Sequence, residues 1–229
     1  MKKVLKISLI LMTAFCIASC GFDDDDECSL SNIWVDFGLI ESGAEGADFK
    51  IHVDDGYSIV PVNLNQIDIE TFTNDVRVIV NYTVVGEKVV TDGEEQYNAK
   101  INSLRKVLYK GVLDITSEIE DSIGNDPIHV KEVWTKDHML NFQLQYYGNS
   151  QIHFINLVKT PGEITEEDLP LELELRHNNN NDLQSYAMSA FVTFDLSDLQ
   201  LTDRDSLNYI VRATDFDGTE FSYEGVYKY

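Results

Sequence analysis

Cysteine is scarce in this chain, which excludes a fold held together by disulfides. Cys16 and Cys20 lie in the first 20 residues, Cys28 follows, and residues 29–229 contain no cysteine. The folded part therefore depends on burial of apolar surface, and 229 residues with 43% hydrophobic residues are enough for that. We expect Cys28 to be a bystander thiol, with pairing between chains as the alternative.

Positive charge is scarce as well, with 17 Lys and Arg against 40 Asp and Glu. Lys2, Lys3 and Lys6 lie in the first 20 residues, where there is no acid, so the rest of the chain carries a side-chain charge of about −26. Such a charge repels phosphate backbones, and high-affinity binding of nucleic acids needs a basic patch. We therefore expect no nucleic-acid partner, whereas divalent cations and cationic peptides would be attracted.

The apolar run from Val4 to Ile17 is too short to cross a bilayer. It follows the three lysines and is continued by Ala18, Ser19 and Cys20, an order that resembles a bacterial lipobox. We expect residues 1–19 to be a cleaved signal peptide and Cys20 to be lipidated. Acyl chains on that cysteine would hold the protein at a membrane, because each buried methylene contributes about 0.8 kcal/mol.

A block of acidic residues follows directly: Asp23, Asp24, Asp25, Asp26 and Glu27. Like charges repel each other, so residues 20–32 are predicted to form an extended tether. The block also resembles the export signal that carries Bacteroidetes lipoproteins to the cell surface. We therefore expect a lipid-anchored protein of the outer membrane that faces the cell exterior, with a plain solvated spacer as the alternative.

Alternation of apolar and polar residues predicts an all-β protein, as at 76–85 and 171–175, and turn pairs such as Asp55-Gly56 and Asp217-Gly218 separate the segments. The predicted strands are 49–53, 57–62, 76–85, 97–109, 128–135, 139–147, 152–158, 171–175, 186–195, 208–214 and 219–227.

The Gly124 to Pro127 segment breaks this pattern and is the predicted domain boundary. The strands on either side predict a five-stranded OB-like barrel at 33–116 and an antiparallel β-sandwich at 128–229. A linker at 117–127 would contain a short helix, and Thr165 to Asp168 would form one capped turn.

Several segments resemble those of the NigD-like lipoproteins of Bacteroidetes. They are WVDFG at 34–38, Tyr57 to Asn63, VRVIVNYTVV at 76–85, Arg176-His177 with the asparagine-rich loop after it, and AFVTFDLSDL at 190–199. The resemblance covers the mature chain. It implies an N-terminal OB-like barrel, a C-terminal β-sandwich and an association with bacteriocin loci and self-immunity, and it implies no catalytic residues.

The sequence contains none of the common catalytic motifs that we tested. Its five histidines do not form a His-Glu-x-x-His pattern, and no Gly-x-Ser-x-Gly elbow is present. We therefore predict that the protein is not an enzyme and needs no cofactor. A hydrolase that uses two carboxylates would have no motif to support it.

Three acidic residues, Asp215, Asp217 and Glu220, are weak candidates for a calcium loop around Gly218. Their spacing departs from an EF-hand, so the tip of a hairpin is the favoured interpretation and no metal is predicted. Asp54-Asp55-Gly56 is interpreted in the same way.

Two other groups of residues could bind a ligand. His177, Asn178 to Asn181 and Asp182 form a polar tract, for which a flexible hairpin loop is favoured over a binding tip. The second group consists of aromatic residues that could stack on sugars, although core packing is favoured: Trp34, Tyr57, Tyr82, Trp134, Tyr146 and Tyr147. Ser122 and Ser206 lie in short patterns that resemble O-glycosylation acceptors.

Two functions of different kinds fit these observations. The first is a non-enzymatic, surface-anchored binding protein, linked to bacteriocin immunity, that intercepts a cationic peptide. The second is a carbohydrate-binding accessory lipoprotein of a glycan-uptake system. The gene neighbourhood would separate them, because a bacteriocin cassette and a glycan locus contain different partners.

We predict that a Cys20→Ala variant incorporates no labelled fatty acid and is released from the membrane, because Cys20 is the only cysteine placed after the small residues of the lipobox. Metabolic labelling followed by membrane fractionation measures both properties. Persistent labelling of the variant would show that another residue carries the lipid.

Overall fold

The computed structural model describes residues 33–91 and 93–229. The predicted signal peptide (1–19), the predicted tether (20–32) with Cys20 and the five acids, and Cys28 therefore lie outside the described residues. No helix among the described residues has the length and apolar character that a membrane span requires.

The first half of the described chain folds as a closed barrel. Its strands are β1 (Ile33–Glu41), β2 (Lys50–Val53), β3 (Ser58–Pro61), β4 (Arg77–Val84), β5 (Val89–Thr91) and β6 (Glu94–Lys106). They pair in the order β3-β2-β1-β4-β6-β5, and a parallel pairing of β3 with β6 closes five of them into a barrel. The short strand β5 is added at the edge of β6. The predicted OB-like barrel is thus confirmed.

The second half folds as two packed sheets. Its strands are β7 (Leu108–Gly111), β8 (Leu113–Asp114), β9 (His129–Lys136), β10 (Met139–Gly148), β11 (Phe154–Lys159), β12 (Leu171–Asn178), β13 (Tyr186–Asp195), β14 (Ser206–Thr214) and β15 (Glu220–Lys228). One sheet has the order β7-β13-β10-β9 and the other β15-β14-β12-β11-β8. The predicted sandwich is confirmed. It is mainly antiparallel, with parallel pairings of β7 with β13, β8 with β11 and β12 with β14.

Alternating side chains from the two sheets form the core of the sandwich. Leu171, Leu173 and Leu175 of β12 are buried, whereas the glutamates between them are exposed. From the facing sheet, Phe142 of β10 and Phe194 of β13 meet edge to face, with ring centroids 5.9 Å apart. The period-two pattern in the sequence therefore identified the inner face correctly.

The change from barrel to sandwich comes earlier in the chain than the sequence suggests. Residues 108–114 were expected to belong to the barrel, but β7 and β8 pair with strands of the sandwich. The expected linker helix is reduced to the single turn α1 (Glu120–Ile123). The turn at Thr165 has the predicted cap, since the backbone N–H and hydroxyl of Thr165 both donate to Asp168. Independent folding of the two halves stays a prediction.

Barrel and sandwich meet at a buried arginine. The side chain of Arg77, at the start of β4, is fully buried, and its guanidinium donates two hydrogen bonds of 2.6 and 2.5 Å to the carboxylate of Asp54. It also donates to Oδ1 of Asn141 in the sandwich (3.2 Å), which accepts the hydroxyl of Thr193 as well (2.7 Å). Because a planar guanidinium matches a carboxylate in two places, this pair fixes both distance and orientation.

An aromatic ring lies against the arginine, and two further rings pack on that ring. Arg77 lies 5.3 Å from the ring centroid of Phe37 on β1. Phe37 in turn meets Trp134 and Phe191 of the sandwich edge to face, with centroids 5.5 and 5.3 Å apart. The contact between the two halves therefore combines a neutralised buried charge with apolar packing.

We predict that Asp54→Asn lowers the free energy of unfolding by about 3 kcal/mol or more, since it leaves Arg77 buried without a compensating charge. The matched control is Glu95→Gln, which breaks the exposed Lys88–Glu95 pair (2.7 Å) and should change stability by less than about 1 kcal/mol. Urea denaturation measures both variants. Equal effects of the two substitutions would contradict the role given to Arg77.

Candidate functional site

Four loops meet at one end of the sandwich, which we call the sandwich tip. They are residues 124–128, 149–153, 179–185 and 215–219. Hydrogen bonds join three of them: Asp126 accepts the backbone N–H of Asn179 (2.8 Å), and Asp182 accepts those of Asn149 (2.5 Å) and Ser150 (3.1 Å). The polar tract around His177 is therefore part of an ordered assembly of loops.

The polar tract differs from its favoured sequence interpretation. A flexible hairpin was expected, but β12 and β13, which it connects, lie in different sheets. The tract crosses from one sheet to the other, and His177 and Asp182 are buried there, with only 2% and 9% of their surfaces exposed. Burial of two ionisable side chains requires hydrogen-bond partners, and the structure supplies them.

A chain of hydrogen bonds runs through two imidazole rings beneath the tip. Nε2 of His153 lies 3.2 Å from Asp182, Nδ1 of His153 lies 2.8 Å from Nε2 of His177, and Nδ1 of His177 lies 3.1 Å from the carbonyl oxygen of Pro127. Tyr146 packs on both rings, with centroids 4.7 and 5.5 Å away. The chain links loops 124–128, 149–153 and 179–185.

The two oxygens at the ends of this chain accept hydrogen bonds, which fixes the number of protons in it. Three contacts need three ring protons on two imidazoles, so the pair carries one positive charge when every contact is made. Burial lowers the pKa of His177, because desolvation disfavours its charged form.

Asp182 remains ionised in spite of its burial. Desolvation alone would raise the pKa of its carboxyl group, but hydrogen bonds from the N–H groups of Asn149 and Ser150 and from His153 outweigh that effect and hold the pKa below its ordinary value. Gly148 makes room for this arrangement. A Cβ atom there would lie 2.9 Å from Nε2 of His153 and 3.1 Å from Oδ2 of Asp182.

A small cavity of about 130 Å³ opens beside the histidine pair, and we call it the tip cavity. Its walls are Asp126, Pro127, Tyr147, His177, Asn179, Gln184 and Phe216. The rings of Tyr147 and Phe216 stand 5.1 Å apart at an angle of 58°. The cavity thus combines two aromatic faces with one carboxylate and two amide side chains, a mixture typical of small binding sites.

Large apolar side chains lie exposed around the tip. Ile152 and Leu183 are 73% and 68% exposed, and each is next in sequence to a member of the histidine–aspartate chain. Tyr186 and Met188 extend this surface along the first half of β13. Clusters of exposed aromatic and aliphatic side chains beside ordered polar groups are typical of protein interaction sites.

Comparison with known proteins assigns the chain to a family. The model of the NigD-like N-terminal OB domain matches residues 37–107, and that of the NigD-like C-terminal beta sandwich domain matches residues 111–227. The chain belongs to the NigD-like family. This confirms the resemblance found in the sequence, and it places the sandwich tip in the C-terminal domain of the family. No curated protein matches the chain.

Solved structures share this fold at low sequence identity. A protein from Parabacteroides distasonis named as toxin-related has 24% identity and a TM-score of 0.69, over 86% of this chain and 93% of that chain. A NigD-like immunity protein from Bacteroides caccae has 16% identity and a TM-score of 0.60, over 84% of this chain and 97% of that chain. A protein from Bacteroides fragilis named as a lipoprotein has 11% identity and a TM-score of 0.62, over 86% of this chain and 98% of that chain.

The weak calcium candidates lie on the β14–β15 hairpin, as their favoured interpretation predicts. Asp215 contacts His129 (2.7 Å), Asp217 accepts the N–H of Thr219 (2.9 Å), and Glu220 pairs with Arg212 (2.5 Å). Each carboxylate thus has its own partner. Across residues 33–91 and 93–229, no cluster of three or more His, Cys, Asp or Glu side chains is arranged to hold a metal ion.

The other candidate residues are distributed over the molecule. The hydroxyls of Tyr57 and Tyr82 meet at 2.6 Å in the barrel and contact Asp36, whereas Trp34 is exposed near the start of β1. Trp134 lies at the contact between barrel and sandwich. Of the six aromatic candidates, only Tyr146 and Tyr147 belong to the tip. The six aromatic residues therefore do not form one platform.

The two serines proposed as glycosylation acceptors differ in their surroundings. Ser122 is exposed in α1, where its hydroxyl donates to the carbonyl of Ile119 (2.7 Å). Ser206 is half-buried at the start of β14. Their modification stays a prediction.

A second polar cluster, on the barrel, was not found in the sequence. His52 lies between Glu41 (2.5 Å) and Glu94 (2.9 Å), and Ser58 contacts both His52 (2.8 Å) and Glu94. The hydrogen bond that Glu94 accepts from Ser58 lowers the pKa of Glu94 to about 2. Ser58 is fully buried, so its hydroxyl stabilises this carboxylate and is not presented to a substrate.

We predict that wild-type protein loses more stability than a His177→Gln variant as the pH falls from 7.5 to 5.5. The folded pKa of His177 lies below its ordinary value of about 6.5, so the unfolded chain binds the proton first and acidification favours unfolding. Glutamine can still accept the hydrogen bond from His153. Urea denaturation at both pH values measures the loss of stability of each protein. His129→Gln serves as the control at the same tip. Equal losses for wild type and His177→Gln would contradict the prediction.

Proposed function

We propose that this protein is a non-enzymatic, lipid-anchored binding protein of the cell surface that holds a peptide ligand at the sandwich tip as part of bacteriocin immunity. The observation that carries the proposal is the tip itself, where one ordered group of loops carries both exposed apolar side chains and a small cavity. Membership of the NigD-like family supports the link to bacteriocin immunity, and the lipobox at Cys20 supports the lipid anchor.

The chemistry of the tip suits binding better than catalysis. Both imidazoles of the His153–His177 pair are occupied by hydrogen bonds within the protein, and Asp182 is occupied by backbone N–H groups. These contacts hold three loops in place. A rigid scaffold reduces the entropy lost when a ligand binds, and this favours tight capture.

Charge favours a cationic peptide as the ligand. The four tip loops contain Asp126, Asp182, Asp215 and Asp217 and no lysine or arginine. Added to the charge of the whole mature chain, they produce a negative field at the surface where the apolar side chains lie. Such a field raises the rate at which cationic molecules arrive, and apolar contacts then hold them.

A glycan is the second candidate, and one observation favours it. The amides of Asn179 and Gln184 stand beside Tyr147 and Phe216 in the tip cavity, and sugars bind to such combinations of amide and aromatic groups. The protein would then be an accessory lipoprotein of a glycan-uptake system.

We predict that Ile152→Ser and Leu183→Ser each weaken the binding of a synthetic amphipathic peptide rich in Lys and Leu by about fivefold or more, because both remove exposed apolar surface from the tip loops. Val90→Ser is the matched control, since Val90 is 61% exposed but lies on β5 of the barrel. Calorimetry on the purified mature chain measures affinity, and mass spectrometry of the peptide after incubation measures turnover.

Salt dependence and a glycan array complete this test. Raising the ionic strength from about 0.05 to 0.5 M should slow association, because the Debye length shrinks. Binding of a glycan that does not respond to salt, with no peptide bound, would contradict the proposal. Cleavage of either ligand would make the protein an enzyme.

A further inference from the structure

We propose that the tip cavity is a binding site for the cationic side chain, lysine or arginine, of a peptide ligand. This inference rests on the proposed function, which it refines by naming the group that is recognised.

The aromatic walls provide faces on which a cation can rest. The rings of Tyr147 on β10 and Phe216 on the β14–β15 hairpin stand 5.1 Å apart, and both residues are 40% exposed. An ammonium or guanidinium group is attracted to the negative face of an aromatic ring, and the methylenes that carry it pack on the same ring.

One carboxylate lies in the cavity, and no lysine or arginine lines it. Asp126 uses Oδ2 to accept the N–H of Asn179 (2.8 Å), which fixes the carboxylate in place. The nearest strand arginines in sequence, Arg176 and Arg212, pair with Glu174 (2.6 Å) and Glu220 (2.5 Å). A ligand cation would therefore meet an unneutralised negative charge in the cavity.

His177, which also lines the cavity, does not repel a cation. Because burial lowers the pKa of His177, its ring is uncharged at neutral pH. Nε2 of the other ring, His153, lies 3.2 Å from the carboxylate of Asp182. The cavity therefore keeps the net negative charge of Asp126.

The size of the cavity selects one side chain and excludes an enclosed oligosaccharide. Its volume is about 130 Å³. This is well below the roughly 300–1,000 Å³ of sites that enclose a drug-sized ligand. The end of one lysine or arginine side chain fits that space, while the rest of the peptide would lie on the exposed apolar surface around it.

The experiment uses three small probes and the mature chain labelled with ¹⁵N. N-acetyl-lysine-amide and N-acetyl-arginine-amide should shift the amide signals of Gln184 and Phe216 in a saturable way, and N-acetyl-norleucine-amide, which lacks the charge, should not. Asp126→Asn keeps the shape and the acceptor for Asn179, and it should weaken binding of the lysine probe by about fivefold to thirtyfold.

The matched control is Asp217→Asn, which removes an exposed carboxylate from the same hairpin as Phe216 but not from the cavity wall. This variant should bind the lysine probe within about twofold of wild type, because an exposed charge is screened by solvent. If the norleucine probe binds as well as the lysine probe, or if Asp126→Asn binds like wild type, the cavity does not recognise a cation. A Lys- and Leu-rich peptide that still loses affinity in Leu183→Ser would then leave the proposed function standing while this inference fails.

Discussion

The guanidinium of Arg77 is completely buried, and the protein can keep it there only because Asp54 neutralises it with two parallel hydrogen bonds. Transfer of an unpaired charge into such a site would cost several kcal/mol, on the order of a third to a half of the stability of an ordinary domain. The position of Asp54, and hence the end of β2, is therefore tied to β4. Through Asn141 and Thr193 the same group reaches β10 and β13 of the sandwich.

This constraint connects the barrel with the strands that carry the sandwich tip. β10 passes the buried arginine at Asn141 and continues to Tyr146, Tyr147 and Gly148, which belong to the tip. β13 likewise runs from Tyr186 at the tip to Thr193 beside Arg77. At the far end the strands and loops are held by the buried hydrogen bonds of Asp182 and the two histidines. The surface that we propose as the binding site is thus fixed at both ends, which would favour binding without large rearrangement.

The parts of the fold that are predictable from the sequence are those with a strong local signal. The alternation in β4 and β12 and the capped turn at Thr165 all appear in the structure. β7 and β8 do not have such a signal, because strands of four and two residues show no period and pair with partners far along the chain. An arginine in an apolar strand gives no indication of which carboxylate will meet it.

The tip cavity cannot be predicted from the sequence, for the same reason. Asp126, Tyr147, Gln184 and Phe216 come from four separate segments, and only the three-dimensional fold brings them together. The asparagine-rich tract stands out in the sequence, but its composition is that of an ordinary turn. What distinguishes it is burial of His177 and Asp182, and burial is a property of the assembled sheets.

The central claim is that ligand contacts are confined to the sandwich tip, and hydrogen exchange of the mature chain, with and without a saturating basic peptide, tests it most directly. Bound peptide should slow exchange in residues 124–128, 149–153, 179–185 and 215–219 and along the first half of β13, and it should leave the barrel strands β1 to β6 unchanged. Protection on the barrel surface, with the tip loops exchanging as in the free protein, would contradict the account.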